Sequence, residues 1–214
     1  MPVRKIPKNA LVVTGSFASK KNGRLLGCES LLERDYMILL EFDETVESFE
    51  EQPVKIPFKK GIKPYVPDIL IHYKSGRRLP LLAEVKTKAD LERNREKYTP
   101  KFEVARIFAR EKGWEFGVVT EDQIRVPRLK TLKFLRAYYD KVPPDPVIAD
   151  QVKTTLREEG APIALDDLLE RLSNSKNEGI SPIPTVWHLV ATKAICIDYD
   201  KPISEKTLLS YEEF

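Results

Sequence analysis

The chain has 214 residues, of which 42% are hydrophobic and 32% charged, and its formal net charge is +3. This composition supports a packed core and excludes an intrinsically disordered chain. The sequence lacks both the run of about 18 apolar residues that a transmembrane helix requires and the apolar stretch of a secretory signal. We therefore expect a cytoplasmic protein that does not contact a membrane.

Cysteine and histidine are too scarce to build a metal site of their own. The chain has two of each, which excludes a zinc module and a His-rich site. Any metal would be held by carboxylates, which favours a hard cation such as Mg²⁺ or Mn²⁺.

Charge is distributed unevenly along the chain. Residues 1–141 carry a net charge of +9 and residues 142–214 a net charge of −6, while nine acidic residues cluster within 28–52. A basic part that contains an acidic pocket suits a protein that approaches a polyanion and binds metal against it. Ordinary solvated helix faces would give the same distribution, so charge alone does not decide.

Periodicity and breaker residues predict the order α-β-β-β-α-β-α before residue 141. The predicted elements are a helix over 29–42, a broken edge strand over 46–58, strands over 65–73 and 79–86, a helix over 99–113, a strand over 115–120 and a basic helix over 129–139. In the helix over 99–113, Thr99 is the predicted N-cap, Pro100 lies in the first turn and Gly113 ends the helix. This order predicts a mixed α/β sheet with flanking helices.

A proline-rich segment, residues 141–146, predicts a boundary between a first domain over 1–141 and a second over 146–214. Three prolines in four residues exclude both a helix interior and a central strand. Beyond the boundary, the pattern predicts helices over 147–158, 165–172 and 182–193, followed by strands over 194–199 and 207–211. Three short helices followed by a hairpin indicate a winged helix.

The residues best suited to chemistry lie on two neighbouring predicted strands. Side chains alternate faces along a strand, so Glu84 and Lys86 project from one face and Val85 from the other, and a hairpin can bring Asp68 beside them. Two carboxylates and a lysine are the set that metal-dependent phosphodiester hydrolysis requires. A third carboxylate from the preceding helix would complete it; Glu33 is favoured, and Glu29 lies one turn away on the same helical face. The alternative is a surface aspartate beside an exposed Glu–Lys pair without function.

Five segments of the chain, in order, resemble TnsA, the endonuclease subunit of heteromeric bacterial transposases. They are Glu29–Asp35, Leu39–Phe42, Glu51–Pro53, Tyr65–Asp68 and Glu84–Lys86. The resemblance spans residues 22–125, and residues 146–214 are more loosely similar to the winged-helix C-terminal domain of that family. It implies a restriction-endonuclease-like core, dependence on Mg²⁺ with Mn²⁺ as a substitute, and a bacterial protein associated with the nucleoid during transposition.

The resemblance also implies partners and residue roles. A TnsA-like subunit cleaves double-stranded DNA at the 5′ ends of the element, while a TnsB-like transposase cuts the 3′ ends and a TnsC-like ATPase acts as regulator. The catalytic positions fall on Glu33, Asp68, Glu84 and Lys86. The metal positions fall on Glu33, Asp68, Glu84 and Val85.

Two further groups of residues are candidates for supporting roles. Five basic residues suit contacts to the DNA backbone: Lys88, Arg93, Arg95, Lys97 and Lys101. Their alternation with acidic residues is equally typical of an ordinary exposed segment. Gln52 and Pro53 fall where the family has a turn near the site, although a turn at the entry to a strand would use the same residues. Because the second domain is acidic, we expect it to contact proteins and not DNA.

Two other functions stay open at this point. A restriction or repair nuclease of the same fold could act without partners. A non-catalytic winged-helix adaptor would use the first domain only as a scaffold, although the set of Glu33, Asp68, Glu84 and Lys86 argues against it.

Overall fold

The structure is a computed structural model, and it describes residues 15–58, 63–74, 76, 78–141, 144–173 and 181–211. The chain divides into two compact units, one ending at Arg125 and the other beginning at Val126. The first unit contains every residue predicted for catalysis. Among the described residues, no helix is long and apolar enough to cross a membrane.

The first unit combines strands and helices in nearly the predicted order. Its elements are β1 (Gly15–Ser19), β2 (Arg24–Cys28), α1 (Leu31–Phe42), β3 (Val46–Glu51), β4 (Ile69–Tyr73), β5 (Leu81–Val85), α2 (Lys88–Arg93), α3 (Arg95–Glu111), β6 (Glu115–Val119) and α4 (Glu121–Ile124). The predicted helix over 29–42 and the four predicted strands are confirmed within shorter bounds. The β1–β2 hairpin and the short helices α2 and α4 are not predicted from the sequence pattern.

A mixed sheet forms the centre of the first unit. Over the described residues its strands follow the order β3-β4-β5-β6, and β3 is an edge strand, as predicted. The β3–β4 and β4–β5 pairs are antiparallel, and β6 runs parallel to β5. A parallel pair requires a crossover connection, and α2 and α3 supply it. The register places Ile69 opposite Ala83, so the start of β4 lies beside the end of β5.

Helix α1 begins at the N-cap residue Ser30. The Ser30 hydroxyl accepts a hydrogen bond from Glu33 N at 3.1 Å and donates one to Glu33 Oε1 at 3.0 Å. The β1–β2 hairpin before this helix is fastened to the sheet by Arg24, which makes two hydrogen bonds of 2.8 and 2.7 Å to the Glu51 carboxylate. Helix α1 and the hairpin are therefore fixed to the edge strand β3.

The start of α3 differs from the prediction. The helix begins at Arg95, so Thr99 is not its N-cap and Pro100 lies inside it. The Thr99 hydroxyl instead donates to the Arg95 carbonyl at 2.9 Å. Burial of the preceding turn outweighs the proline, because Tyr98 is buried and stacks on Phe102 with ring centroids 5.5 Å apart. The predicted end is confirmed, since Gly113 has a φ of 70° just after the last turn.

The second unit is mainly helical. Its elements are α5 (Arg128–Lys141), α6 (Pro146–Glu159), β7 (Ile163–Ala164), α7 (Leu165–Ser173), α8 (Ile183–Ala191) and β8 (Leu208–Leu209). All four predicted helices of this region are confirmed. Asp145 caps α6 by accepting from the amides of Val147 and Ile148, and Gly160, at a φ of 62°, ends it.

Helix α5 belongs to the second unit, whereas the sequence analysis assigns it to a first domain over 1–141. The ring of Phe134 packs edge-on against Trp187 of α8 at 5.3 Å, and His188 Nδ1 lies 3.0 Å from the Tyr138 carbonyl oxygen. The unit boundary therefore falls between Arg125 and Val126 and not in the segment 141–146, of which residues 142 and 143 lie outside the described ranges. With this boundary, residues 126–214 hold 12 basic and 14 acidic residues, a net charge of only −2.

The predicted C-terminal hairpin is much reduced. Strand β8 is two residues long and pairs with β7, while Cys196 and Ser210 form an isolated antiparallel bridge. The predicted strand over 194–199 does not form, because the amides of Ala194 and Ile195 bond to the Leu189 carbonyl and close the end of α8. The winged-helix assignment of residues 146–214 stays a prediction.

Candidate active site

Three oxygen atoms converge on the ammonium group of Lys86. Its Nζ lies 3.1 Å from Asp68 Oδ2, 2.9 Å from Glu84 Oε1 and 3.0 Å from the Val85 carbonyl oxygen. The structure thus brings together Asp68, Glu84 and Lys86 as the strand pattern predicts, with the main chain of Val85 as a further ligand. The side chain of Lys86 is 22% exposed, so this cluster lies at the surface end of a buried strand.

The ends of β4 and β5 position these groups. Asp68 directly precedes β4, and its amide donates to the Ala83 carbonyl at 3.2 Å. Its carboxylate turns back to β5 and accepts a 2.8 Å hydrogen bond from Val85 N. The side chain of Val85 is buried in the core. Because side chains alternate along a strand, Glu84 and Lys86 lie on the opposite face of β5.

Glu33 approaches the cluster from the first turn of α1. It is 9% exposed, and its Oε2 accepts a 2.8 Å hydrogen bond from the Glu29 amide in addition to the bond from Ser30. Glu33 and Asp68 are close enough for the negative charge of Asp68 to raise the pKa of Glu33. Glu33 therefore lies within electrostatic range of Asp68, and its role as a metal ligand stays a prediction.

Tyr65 is a site residue that the sequence analysis does not identify. Its hydroxyl donates a 2.7 Å hydrogen bond to Glu84 Oε2, and both side chains are buried. The sequence gives little indication of this, because a tyrosine at the start of a predicted strand is equally suited to the core. The backbone of Tyr65 forms an isolated antiparallel bridge with Ile56.

Gln52 joins two parts of the site. Its amide nitrogen Nε2 donates to Glu29 Oε1 at 3.0 Å, and its main-chain N–H donates to the Asp68 carbonyl at 2.8 Å. Gln52 is 5% exposed and has a φ of 45°. Its predicted position near the site agrees with this geometry.

Burial dominates the electrostatics of the three carboxylates. Burial and then the charge of Asp68 raise the pKa of both Glu33 and Glu84 to about 7, against the attraction of Lys86. Burial also raises the pKa of Asp68, although Lys86 and the hydrogen bond from Val85 oppose it. Burial would lower the pKa of Lys86, but Asp68 and Glu84 outweigh it and leave that pKa raised. The Lys86 ammonium is therefore charged at neutral pH, and Asp68 and Glu84 share it as their ion-pair partner.

The oxygen atoms around Lys86 fit a hard cation. Across the described ranges, no group of three or more His, Cys, Asp or Glu side chains is arranged to hold a metal. The convergent set nevertheless contains two carboxylates and a main-chain carbonyl, which are the oxygen ligands that Mg²⁺ and Ca²⁺ take. These oxygens already stabilise one cationic group, so the cluster suits binding of a cation.

The predicted DNA-contact residues lie on α2 and at the start of α3. Arg93, Arg95 and Lys97 are exposed, and Lys101 Nζ lies 5.7 Å from the ring centre of Tyr65. Lys88 does not continue strand β5, because α2 begins there, and its side chain pairs with Asp122. The basic start of α3 is therefore next to the tyrosine that holds Glu84.

Comparison with known proteins agrees with this geometry. Residues 43–121 match the model of the family described as TnsA-like endonuclease N terminal. The matched segment, a little over a third of the chain, contains Asp68, Glu84 and Lys86 and leaves Glu33 outside. No curated protein matches the chain. The resemblance to TnsA is confirmed, and the mixed sheet with flanking helices fits a TnsA-like endonuclease fold.

Proposed function

We propose that this chain is a metal-dependent DNA endonuclease that cleaves the 5′ ends of a transposable element as one subunit of a heteromeric transposase. The observation that carries the proposal is the convergence of Asp68, Glu84 and the Val85 carbonyl on Lys86, inside the segment that matches the TnsA-like endonuclease domain.

The metal of this proposal is Mg²⁺, with Mn²⁺ as a substitute. Asp68, Glu84 and the Val85 carbonyl would hold it, and Glu33 would supply a further carboxylate. A divalent ion bound there supplies a Lewis acid that polarises a phosphate oxygen and lowers the pKa of water. The carboxylates with raised pKa gain a positive partner when the ion binds.

The side chains of the site have separate tasks. Lys86 stays protonated because its pKa is raised, so it acts as a hydrogen-bond donor to a phosphate oxygen and not as a general base. Val85 N orients the Asp68 carboxylate, and the Tyr65 hydroxyl orients Glu84. These neighbours reduce the freedom of both carboxylates before DNA binds, which favours the reactive geometry.

Double-stranded DNA is the proposed substrate, and the basic residues at the end of α2 and the start of α3 are the proposed contacts. Arg93, Arg95, Lys97 and Lys101 would neutralise backbone phosphates beside the site, so affinity would depend steeply on salt. Such contacts position a duplex without reading its sequence. Target choice would then depend on the partners, for which the resemblance names a TnsB-like transposase and a TnsC-like ATPase.

Substitution of Asp68 tests the proposal. The Asp68→Ala variant should lose Mg²⁺-dependent cleavage of transposon-end DNA, and Lys86→Ala should lose it as well. The assay is run on the chain alone and with a TnsB-like transposase and a TnsC-like ATPase added. Asp150→Ala, an exposed carboxylate of α6, is the matched control and should cut like wild type. Cleavage by folded Asp68→Ala protein at the wild-type rate would refute the site.

A further inference from the structure

Gln52 adopts a backbone conformation that its residue type rarely takes. Its φ of 45° lies in the left-handed region, where only glycine is free of steric cost. Residues held in this way persist where the surrounding structure forces them, and they cluster at functional sites. Gln52 directly follows β3 and bonds to Asp68 of the neighbouring strand, so this conformation occurs at the edge of the proposed site.

The side chain of Gln52 is also unusual in its hydrogen bonding. Nε2 donates to Glu29, but Oε1 is buried and has no hydrogen-bond partner among the described residues. A buried, unpaired carbonyl oxygen destabilises the fold, and native proteins rarely keep one. A residue chosen only for stability at this position would be glycine, which would remove both the backbone strain and the unpaired oxygen.

The contacts of Gln52 connect the two arms of the site. One arm is the strand that carries Asp68, which Gln52 holds through its main-chain N–H at 2.8 Å. The other is the first turn of α1, where Gln52 holds Glu29 at 3.0 Å and the Glu29 amide in turn donates to Glu33 at 2.8 Å. Gln52 is thus one hydrogen bond from Asp68 and two from Glu33.

The neighbouring residue acts on the same arm. Glu51 binds Arg24 through two hydrogen bonds of 2.8 and 2.7 Å, and Arg24 lies at the start of β2, which leads to Glu29. Glu51 and Gln52 together therefore fasten the chain before α1 to the sheet. This attachment matters because Glu33 lies on α1, while the other catalytic candidates lie at the ends of β4 and β5.

We propose that Gln52 is a positioning residue whose hydrogen bonds to Glu29 and Asp68 set the separation of the Glu33 and Asp68 carboxylates. This inference rests on the proposed nuclease function. It explains why the chain keeps a strained, incompletely bonded glutamine here, since small displacements of catalytic groups reduce rates strongly.

Replacement of Gln52 by glycine separates this role from a purely structural one. Gln52→Gly removes the strain, the unpaired oxygen and the contact to Glu29, so its thermal midpoint should stay within about 3 °C of wild type. The single-turnover cleavage rate should fall about 10- to 100-fold, with DNA affinity unchanged. Lys193→Gly, at the other non-glycine residue described with a positive φ, 59°, is the matched control and should cut at the wild-type rate.

Glu29 variants test the hydrogen bond itself. Glu29→Gln keeps an oxygen that accepts from Gln52 and should cut within about 3-fold of wild type, whereas Glu29→Met should fall as far as Gln52→Gly. The double variant Gln52→Gly/Glu29→Met should be no slower than either single variant, because both remove one interaction. Additive losses would overturn the proposal, as would Gln52→Gly cutting at the wild-type rate.

A measurement without DNA keeps the two proposals distinct. Amide hydrogen exchange of residues 29–34 should accelerate at least 10-fold in Gln52→Gly and stay unchanged in Lys193→Gly. Unchanged exchange in Gln52→Gly would overturn the positioning role even if no cleavage is seen. Failure of wild-type protein to cut, with exchange accelerated as expected, would overturn the nuclease function alone.

Discussion

The hydroxyl of Tyr65 donates a 2.7 Å hydrogen bond to Glu84 Oε2, while the other oxygen of Glu84 lies 2.9 Å from Lys86 Nζ. Glu84 is therefore held on both sides, by a neutral donor in the core and by an ammonium group at the surface end of β5. Tyr65 does not transfer its proton to Glu84, because burial and the charge of Glu84 raise the pKa of the Tyr65 hydroxyl. Its contribution is orientation.

Removal of the Tyr65 hydroxyl should slow cleavage without unfolding the protein. Tyr65→Phe keeps the ring and leaves Glu84 with one fewer donor, so we expect about a 10-fold lower single-turnover rate, equivalent to one hydrogen bond of about 1.4 kcal/mol. Tyr199→Phe removes a comparable 2.9 Å hydrogen bond in the second unit and serves as control. Equal rates for wild type and Tyr65→Phe would show that Glu84 needs no such orientation.

The helix carboxylates should differ in importance. Glu33→Gln removes a charge beside Asp68 and disturbs the bonds from Glu29 N and Ser30, so metal affinity and cleavage should both fall about 100-fold. Glu29→Gln retains its contact to Gln52 and should lose far less. Side-by-side nicking assays and Mn²⁺ titrations give the comparison. A larger loss for Glu29→Gln would mean that the metal-facing carboxylate lies one turn earlier.

Metal-free protein should become less stable as pH rises from about 5 to 8. The pKa of Glu33 and of Glu84 is about 7 in the folded state against an ordinary 4.5, so the folded state binds more protons in this interval. Stability then falls with increasing pH, by up to about 1.4 kcal/mol per pH unit for each carboxylate. The lowered pKa of Asp90 acts with the opposite sign, but only below about its ordinary 3.8.

Denaturant unfolding in EDTA at several pH values measures this effect. Glu33→Gln should show a shallower decline than wild type, because one of the two carboxylates no longer titrates. Stability that is constant or increases between pH 5 and pH 8 would contradict the burial of these charges.

Local patterns were sufficient for the parts of the site that lie on regular strands. Period-2 alternation places Glu84 and Lys86 on one face, and the structure has their charged atoms 2.9 Å apart. The helix that carries Glu33 follows from its apolar spacing, and the Ser30 side chain caps its start by accepting from Glu33 N. These features depend only on neighbours in sequence, which the sequence displays directly.

The remaining features depend on contacts between distant residues. The hydrogen bond from Tyr65 to Glu84 spans 19 positions, and that from Gln52 to Glu29 spans 23. The start of α3 was predicted wrongly because Pro100 is a strong local signal, whereas burial of Tyr98 on Phe102 is a tertiary one. Helix α5 reads as basic and amphipathic, but only its packing on Trp187 reveals the unit to which it belongs.

The assignment of α5 to the second unit leads to a test of where DNA binds. The first surface consists of Arg93, Arg95 and Lys97 near the site, and the second of Lys130, Lys133 and Arg136 on α5. Changing each set of three to glutamine removes the same charge from the protein, so the two variants differ only in location. If DNA were attracted only by the net charge of the protein, both variants would lose the same amount of DNA affinity.

We expect the first variant to lower the slope of log affinity against log salt by about 2 to 3, because each lost phosphate contact reduces it by about 0.9. The α5 variant should change the slope by less than 1, because the proposed phosphate contacts lie in the first unit. Fluorescence anisotropy with a labelled duplex at four salt concentrations gives both slopes. If the α5 variant shows the larger change, the second unit binds DNA, and its proposed role in protein contacts is wrong.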